Sequence, residues 1–216
     1  MTRLEEYYNK FNEEKRLDSR HGRVEYIISM KYLHDYLKPN DRILDVGAAT
    51  GRYSIPLFLE GYDVTAVEPV KHNLGRLKQK CPGITAFQGF AQKLKRLKDN
   101  TFDVTILFGP MYHLLTHELK LAALNEAKRV TKPGGYIFIA YILNEYSVLT
   151  YCFKERHILE IKEKNQLTND YQTIPSEESL YDYVRLDEID TLKNEANLTR
   201  VKILSPDGPA NYMRYE

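Results

Sequence analysis

The sequence predicts an α/β fold, a doubly wound and mainly parallel sheet preceded by a helical extension. Three observations carry that expectation. Short apolar runs alternate with amphipathic stretches of helical period from residue 42 to residue 142, the pattern of right-handed βαβ units. Glycine-bearing turns sit at the ends of those runs, at Asp45 to Gly51 and at Lys132-Pro133-Gly134-Gly135. An acidic residue, Glu68, closes the second apolar run 17 positions after Gly51.

Each element follows in turn. Residues 3–17 and 23–37 read as helices. In the second, Val24, Ile27, Ile28, Tyr32, Leu33, Tyr36 and Leu37 recur at helical spacing. Lys38-Pro39-Asn40-Asp41 ends it, because a proline disfavours a helical residue before it. Arg42 to Gly47 is the first strand and its turn, and a helix runs from about Arg52 to Glu60 until Gly61 stops it. Asp63 to Glu68 is the second strand, Val70 to Lys80 a helix, Ile84 to Gln88 the third strand and Phe102 to Phe108 the fourth. A helix over Glu118 to Val130 aligns Leu121, Leu124, Ala127 and Lys128, and Tyr136 to Ile142 is the fifth strand. Beyond Leu143 the pattern weakens. Residues 145–172 read as helical, Leu186 to Ala196 as a helix and Arg200 to Leu204 as a sixth strand, with a seventh strand expected to be missing. One domain spanning 1–216 is expected: an extension over 1–38, a core over 39–143, and a helical insertion with the C-terminal part over 144–216.

Composition bounds the function without naming it. With 43% hydrophobic and 28% charged residues, the chain has the make-up of a soluble globular protein. No apolar window approaches a membrane span, and the start, Met1 to Tyr8, is charged and aromatic rather than a signal core. A cytoplasmic location is expected. The net charge of +1 argues against a dedicated nucleic-acid binder. The run Lys93, Lys95, Arg96 and Lys98 reads as a solvated face. Cys81 and Cys152 have no metal-ligand spacing, so no metal centre is expected.

The chemistry concentrates at strand ends, where open α/β sheets bind ligands. The turn Asp45-Val46-Gly47-Ala48-Ala49-Thr50-Gly51 lets backbone approach a ligand, and a helix start behind it presents amide groups. A carboxylate at the position of Glu68 accepts the hydroxyls of an adenosine ribose. A dinucleotide turn needs G-x-G-x-x-G. Here Ala49 stands at the middle position and Arg52 at the last, so a ligand without a pyrophosphate fits better.

Several motifs together resemble the class I S-adenosylmethionine-dependent methyltransferases, over roughly residues 40–143. Ile43 to Gly51 is similar to their first motif, D-x-G-x-G-x-G. Val67-Glu68-Pro69 resembles the acidic end of their second strand, Phe102-Asp103-Val104 the start of their fourth, and Arg129 to Gly135 their turn before strand five. Phe108-Gly109-Pro110-Met111-Tyr112-His113-Leu114 resembles a G-P-x-Y-H-L variant found in a subgroup taken to act on small molecules. The resemblance implies a methyl transfer from S-adenosylmethionine to a small-molecule acceptor. It places Gly47, Ala48, Ala49 and Gly51 along the methionine part of the cofactor, with Asp45 holding the loop. Glu68 takes the ribose hydroxyls, Pro69 lies along the adenine, Gly89, Phe90 and Ala91 sit at the adenine edge, and Phe108 and Gly109 lie near the sulfonium. Ala49 departs from the usual glycine, so an alanine-compatible backbone is expected there. Phe90 replaces an acidic residue that commonly reads the adenine amino group.

His113 is the candidate general base, since an imidazole titrates near neutrality, and Tyr112 a candidate to position the acceptor. The alternative for His113 is a structural histidine. Tyr8, Arg20 and Arg23 are candidates for a lid over the acceptor; an amphipathic packing helix with solvated cations is the other reading. Two other functions compete with methyl transfer. One is an NAD(P)-dependent oxidoreductase, and the other a non-catalytic S-adenosylmethionine-binding or truncated module.

Overall fold

The computed structural model describes residues 6–7, 19–176 and 179–208, with the backbone alone for Arg20 and His21. Apart from Glu6 and Tyr7, the helix expected over 3–17 lies outside the described residues. The first full helix, α1, is Arg20–His34. It starts three residues earlier than periodicity indicates because Ser19 caps it, its hydroxyl accepting from the Gly22 N–H at 3.2 Å.

The sheet has five strands: β1 Arg42–Val46, β2 Asp63–Glu68, β3 Thr85–Gln88, β4 Phe102–Leu107 and β5 Thr131–Ile139. Helices α2 Ser54–Leu59, α3 Lys71–Lys80 and α4 His117–Val130 connect them. All pairs are parallel, in the order β3-β2-β1-β4-β5. The order reverses between β1 and β4, so a crevice opens at the carboxyl ends of those strands.

Burial follows the period of two. Leu44, Val46, Val67, Phe102 and Leu107 pack toward α4, whereas Ile43, Val64, Ala66 and Ile106 pack toward α1, α2 and α3. With both faces covered, each central strand is apolar nearly throughout.

Three expectations are corrected. The fifth strand begins at Thr131 rather than Tyr136 and carries a register shift opposite Phe102 and Val104. Gly135 accommodates that irregularity, because a Cβ there would lie 2.6 Å from the Asp103 carbonyl oxygen. Residues 145–172 are not one helix. They divide into α5 Asn144–Ser147, a π-helical turn Val148–Lys154 and α6 Ile158–Glu163. Left-handed residues Arg156, Asn165 and Tyr171 break the continuity. The sixth strand does not form: residues 200–204 are irregular, with Val201 and Ile203 exposed, and a strand requires a neighbour that this segment lacks among the described residues. The last helix, α7, is Leu186–Glu195. Among the described residues, no helix is long and apolar enough to cross a membrane.

Candidate active site

The turn after β1 is a self-bonded loop. The Gly47 and Ala48 amides donate to the Val67 carbonyl at 2.8 and 3.2 Å, and the Gly51 amide donates to the Ala48 carbonyl at 2.8 Å. Gly47, Ala49 and Gly51 all have left-handed backbone, with φ of 77°, 48° and 91°. The alanine-compatible conformation expected at Ala49 is therefore not found. The strain of a left-handed alanine, roughly 1–2 kcal/mol, is held by its amide, which donates to Glu68 Oε2 at 2.8 Å. The loop also fits closely against the turn after β4. A Cβ on Gly47 would lie 2.9 Å from Pro110 Cδ, and one on Gly109 would lie 3.2 Å from the Gly47 carbonyl oxygen.

Two carboxylates sit beneath this loop. Asp45, 2% exposed, accepts a hydrogen bond from the Ser54 hydroxyl and so ties β1 to the start of α2. Burial pushes its pKa up to about 6, against the Ser54 hydrogen bonds. Glu68 is 3% exposed. Its second oxygen accepts from the Val70 amide at 2.9 Å. Burial pushes Glu68 up to about 7; hydrogen bonds from Val70, Ala49 and Asn73 oppose the shift and the Asp45 charge adds to it. The loop folds back because this carboxylate satisfies the Ala49 and Val70 amides, which explains the burial.

The neighbouring positions line the same crevice. The Pro69 carbonyl accepts from Gln88 Nε2 at 2.8 Å, and the Gly89 amide donates to the Glu68 carbonyl at 3.4 Å. Phe90 is exposed beside them and Ala91 is buried. The Phe108 ring packs on Tyr53 at 4.9 Å and on Phe138 at 6.4 Å. Tyr53 meets Tyr26 of α1 at 5.5 Å, and the Arg52 guanidinium lies 4.5 Å over that Tyr26 ring. Helix α1 thus packs against the loop through aromatic rings.

Tyr112 and His113 occupy a 3₁₀ turn, Met111–His113, beyond β4. His113 Nδ1 donates to the Leu180 carbonyl at 2.9 Å, since a carbonyl can only accept. That assigns the Nδ1–H tautomer in neutral His113 and makes Nε2 the basic atom. Burial holds the imidazole down to about 4, against the pull of the Leu180 carbonyl, rather than near neutrality as expected, so it is neutral at physiological pH and a weaker base than a free imidazole. The Tyr181 ring lies 5.1 Å from His113 and 5.9 Å from Tyr112. Its hydroxyl donates to the Tyr7 hydroxyl at 3.4 Å. The Asp182 amide donates to the Tyr112 carbonyl at 2.9 Å. Behind this strap of residues 180–182, Lys120, 1% exposed, makes an ion pair with Asp182 and lies 3.4 Å from Glu188.

Comparison with known proteins agrees with this geometry. Residues 44–139 match the model of a methyltransferase domain. An uncharacterized methyltransferase of Schizosaccharomyces pombe is 35% identical over 119 residues, covering 49% of this chain and 41% of that protein. A demethylmenaquinone methyltransferase of Renibacterium salmoninarum is 42% identical over 106 residues, covering 47% of this chain and 41% of that protein. These matches thus span about two fifths of the relatives' length. An S-adenosylmethionine-dependent methyltransferase of Methanosarcina mazei has the same fold, with a TM-score of 0.60 and 20% identity over 76% of this chain and 82% of that one.

The fold brings most of the sequence-derived positions together. Asp45, Gly47, Ala48, Ala49, Gly51, Glu68, Pro69, Gly89, Phe90, Ala91, Phe108 and Gly109 all lie at the carboxyl ends of β1 to β4 or in the turns that follow them. Tyr112 and His113 follow directly. Of the lid candidates, Tyr8 lies outside the described residues, as does the side chain of Arg20, while Arg23 is exposed on α1. Tyr181, Asp182 and Lys120 were missed. The first two lie in Leu180 to Val184, where Asp182 and Val184 are buried and Tyr181 and Tyr183 are only partly so; the burial of an aspartate there comes from its tertiary partner rather than from an apolar alternation in the sequence. Lys120 gave none, because a lysine on an apolar helix face reads as a surface residue.

Proposed function

We propose that this protein transfers a methyl group from S-adenosylmethionine to a small-molecule acceptor, acting in the cytoplasm. The observation that carries the reading is the Gly47–Gly51 loop itself. The amides of Gly47, Ala48, Ala49 and Gly51 are all consumed within the chain. A pyrophosphate needs such amides as donors, so the loop suits an uncharged contact along a sulfonium amino acid better than a dinucleotide. Glu68, with two amides already bound, still has lone pairs for a ribose diol.

When bound, S-adenosylmethionine supplies an electrophilic methyl group on a sulfonium. The chain's own residues align the acceptor and handle its proton. Phe108 and Gly109 stand at the end of β4 beside the Gly47 turn, where they exclude water and limit approach to one direction. His113, neutral and fixed in the Nδ1–H tautomer, takes the acceptor proton at Nε2.

A thermal-shift and calorimetric comparison of S-adenosylhomocysteine with NAD tests the assignment. S-adenosylhomocysteine should stabilise the protein by about 2.7 kcal/mol at a hundredfold excess over its dissociation constant, and NAD should leave the midpoint unmoved. Stabilisation by NAD with none from S-adenosylhomocysteine would refute it.

A further inference from the structure

Charge is unevenly divided along this chain. Residues 69–98 hold eight of its 31 lysines and arginines and none of its 30 acids, which leaves 23 cations against 30 acids in the remainder. The net charge of +1 therefore conceals one strongly basic region.

The fold gathers that region at one edge of the sheet. Helix α3 covers one face of β3, where Leu77 packs with Val64 and Ala66, and it exposes Lys71, Arg76, Lys78 and Lys80. The loop after β3 covers the other face, where Ala91 and Leu94 pack with Leu44 and Val67. It exposes Lys93, Lys95, Arg96 and Lys98. The acids that bound the region are engaged elsewhere: Glu68 is buried under the glycine turn, and Asp99 is paired with Arg129 at 2.6 Å. Lys71, Lys78, Lys93, Lys95 and Lys98 make no ion pair among the described residues.

Between these cations runs an open strand edge. β3 is the outermost strand and pairs only with β2 among the described residues. Its register, with the Gly89 amide donating to the Glu68 carbonyl, turns the backbone groups of Thr85 and Phe87 toward β2. Those of Ala86 and Gln88 point away from the sheet.

We propose that this edge receives an extended, acidic segment of a partner protein, which adds to the sheet beside β3. Two observations choose that occupant. The open edge offers alternate amides and carbonyls, which a polypeptide strand matches and a phosphate chain or a lipid surface does not. Cations stand over both faces of the edge, and the side chains of an added strand point alternately to those faces, so acids on either side of it lie near cations. The same charges disfavour a second copy of this chain, because edge-to-edge pairing would set two basic regions against each other. Both β2 and β1 separate this edge from β4, so a docked strand does not cover the turn that carries His113. The inference stands apart from the methyl-transfer reading.

The test is fluorescence anisotropy of labelled octapeptides titrated with the full chain. A peptide of alternating glutamate and threonine should bind, and more weakly as salt rises from about 0.05 to about 0.5 M, because surface charges are screened. The same peptide N-methylated on its amides keeps the charge but cannot donate to the edge, and should bind at least about tenfold more weakly. In amide NMR spectra, Ala86 and Gln88 should shift when the first peptide is added and become protected from solvent exchange. Lys78→Glu with Lys95→Glu, which reverses one charge on each face, should lower affinity at least about tenfold and leave the thermal midpoint unchanged. Equal binding of the N-methylated peptide would show attraction by charge alone. Tighter binding of an oligouridylate or of phosphatidylglycerol vesicles would assign the surface to nucleic acid or membrane. Either result would overturn the proposal, as would no peptide binding, unmoved Ala86 and Gln88 amides, or unchanged affinity in the folded double variant.

Discussion

Glu68 makes cofactor affinity depend on pH, with a sign that the structure dictates. Its carboxyl is buried and raised to about 7, whereas a ribose diol donates its hydrogen bonds to the ionised form. Below that value, binding must first remove a proton. Each pH unit then weakens binding by up to tenfold, about 1.4 kcal/mol. Between about pH 8 and about pH 6, S-adenosylhomocysteine should therefore bind roughly tenfold less tightly, and calorimetry in two buffers of different ionisation heat should detect about one proton released at the acid end. The free protein should show the opposite slope. A carboxyl raised in the folded state contributes stability that is present below its ordinary value of 4.5 and is lost as pH rises through about 7. Its thermal midpoint should fall over the range in which ligand affinity rises. Glu68→Gln, which cannot ionise, should lose the affinity slope and bind about ten- to a hundredfold more weakly at neutral pH. Affinity that stays level from about pH 6 to about pH 8 in the folded parent, or a glutamine variant that retains the slope, would refute the assignment of Glu68 to the ribose.

Two further predictions follow from the strap. His113→Ala should leave S-adenosylhomocysteine affinity unchanged and lower turnover by roughly 10²–10⁴-fold. Because the imidazole is held near 4, the His113 contribution to the parent's rate should be level above about pH 5; equal turnover per folded molecule in the variant would rule out the base. Lys120→Met leaves Asp182 buried without its cation and should cost about 3–5 kcal/mol in chemical denaturation, whereas Lys120→Met with Asp182→Leu should recover most of that loss. A double variant no more stable than the single one would show that the pair does not hold the strap.

The sequence by itself determined the sheet and the crevice. Strand and helix periods are local properties, so β1 to β4 and their helices lie within a few residues of where the pattern of Ile43, Val64, Ala86 and Val104 puts them. The Gly47–Gly51 turn and Glu68 were legible together, since a strand-end glycine turn and a strand-end acid have a ligand-driven spacing. The backbone of Ala49 was not, because its left-handed φ of 48° depends on a bond to Glu68, 19 positions away. The depth of Glu68 has the same origin. The 144–185 segment was least legible, since its order comes from Asn144 and from the Leu143–Val184 bridge rather than from any repeat. Tertiary structure alone decided which atom of His113 is the base: Leu180, 67 positions on, accepts the Nδ1 proton. Lys120 is the extreme case, a lysine buried only because Asp182 arrives from 62 positions away to share its charge. Local pattern specifies where a chain turns and which face it buries, while partners far apart in sequence set the charge and tautomer of what is buried.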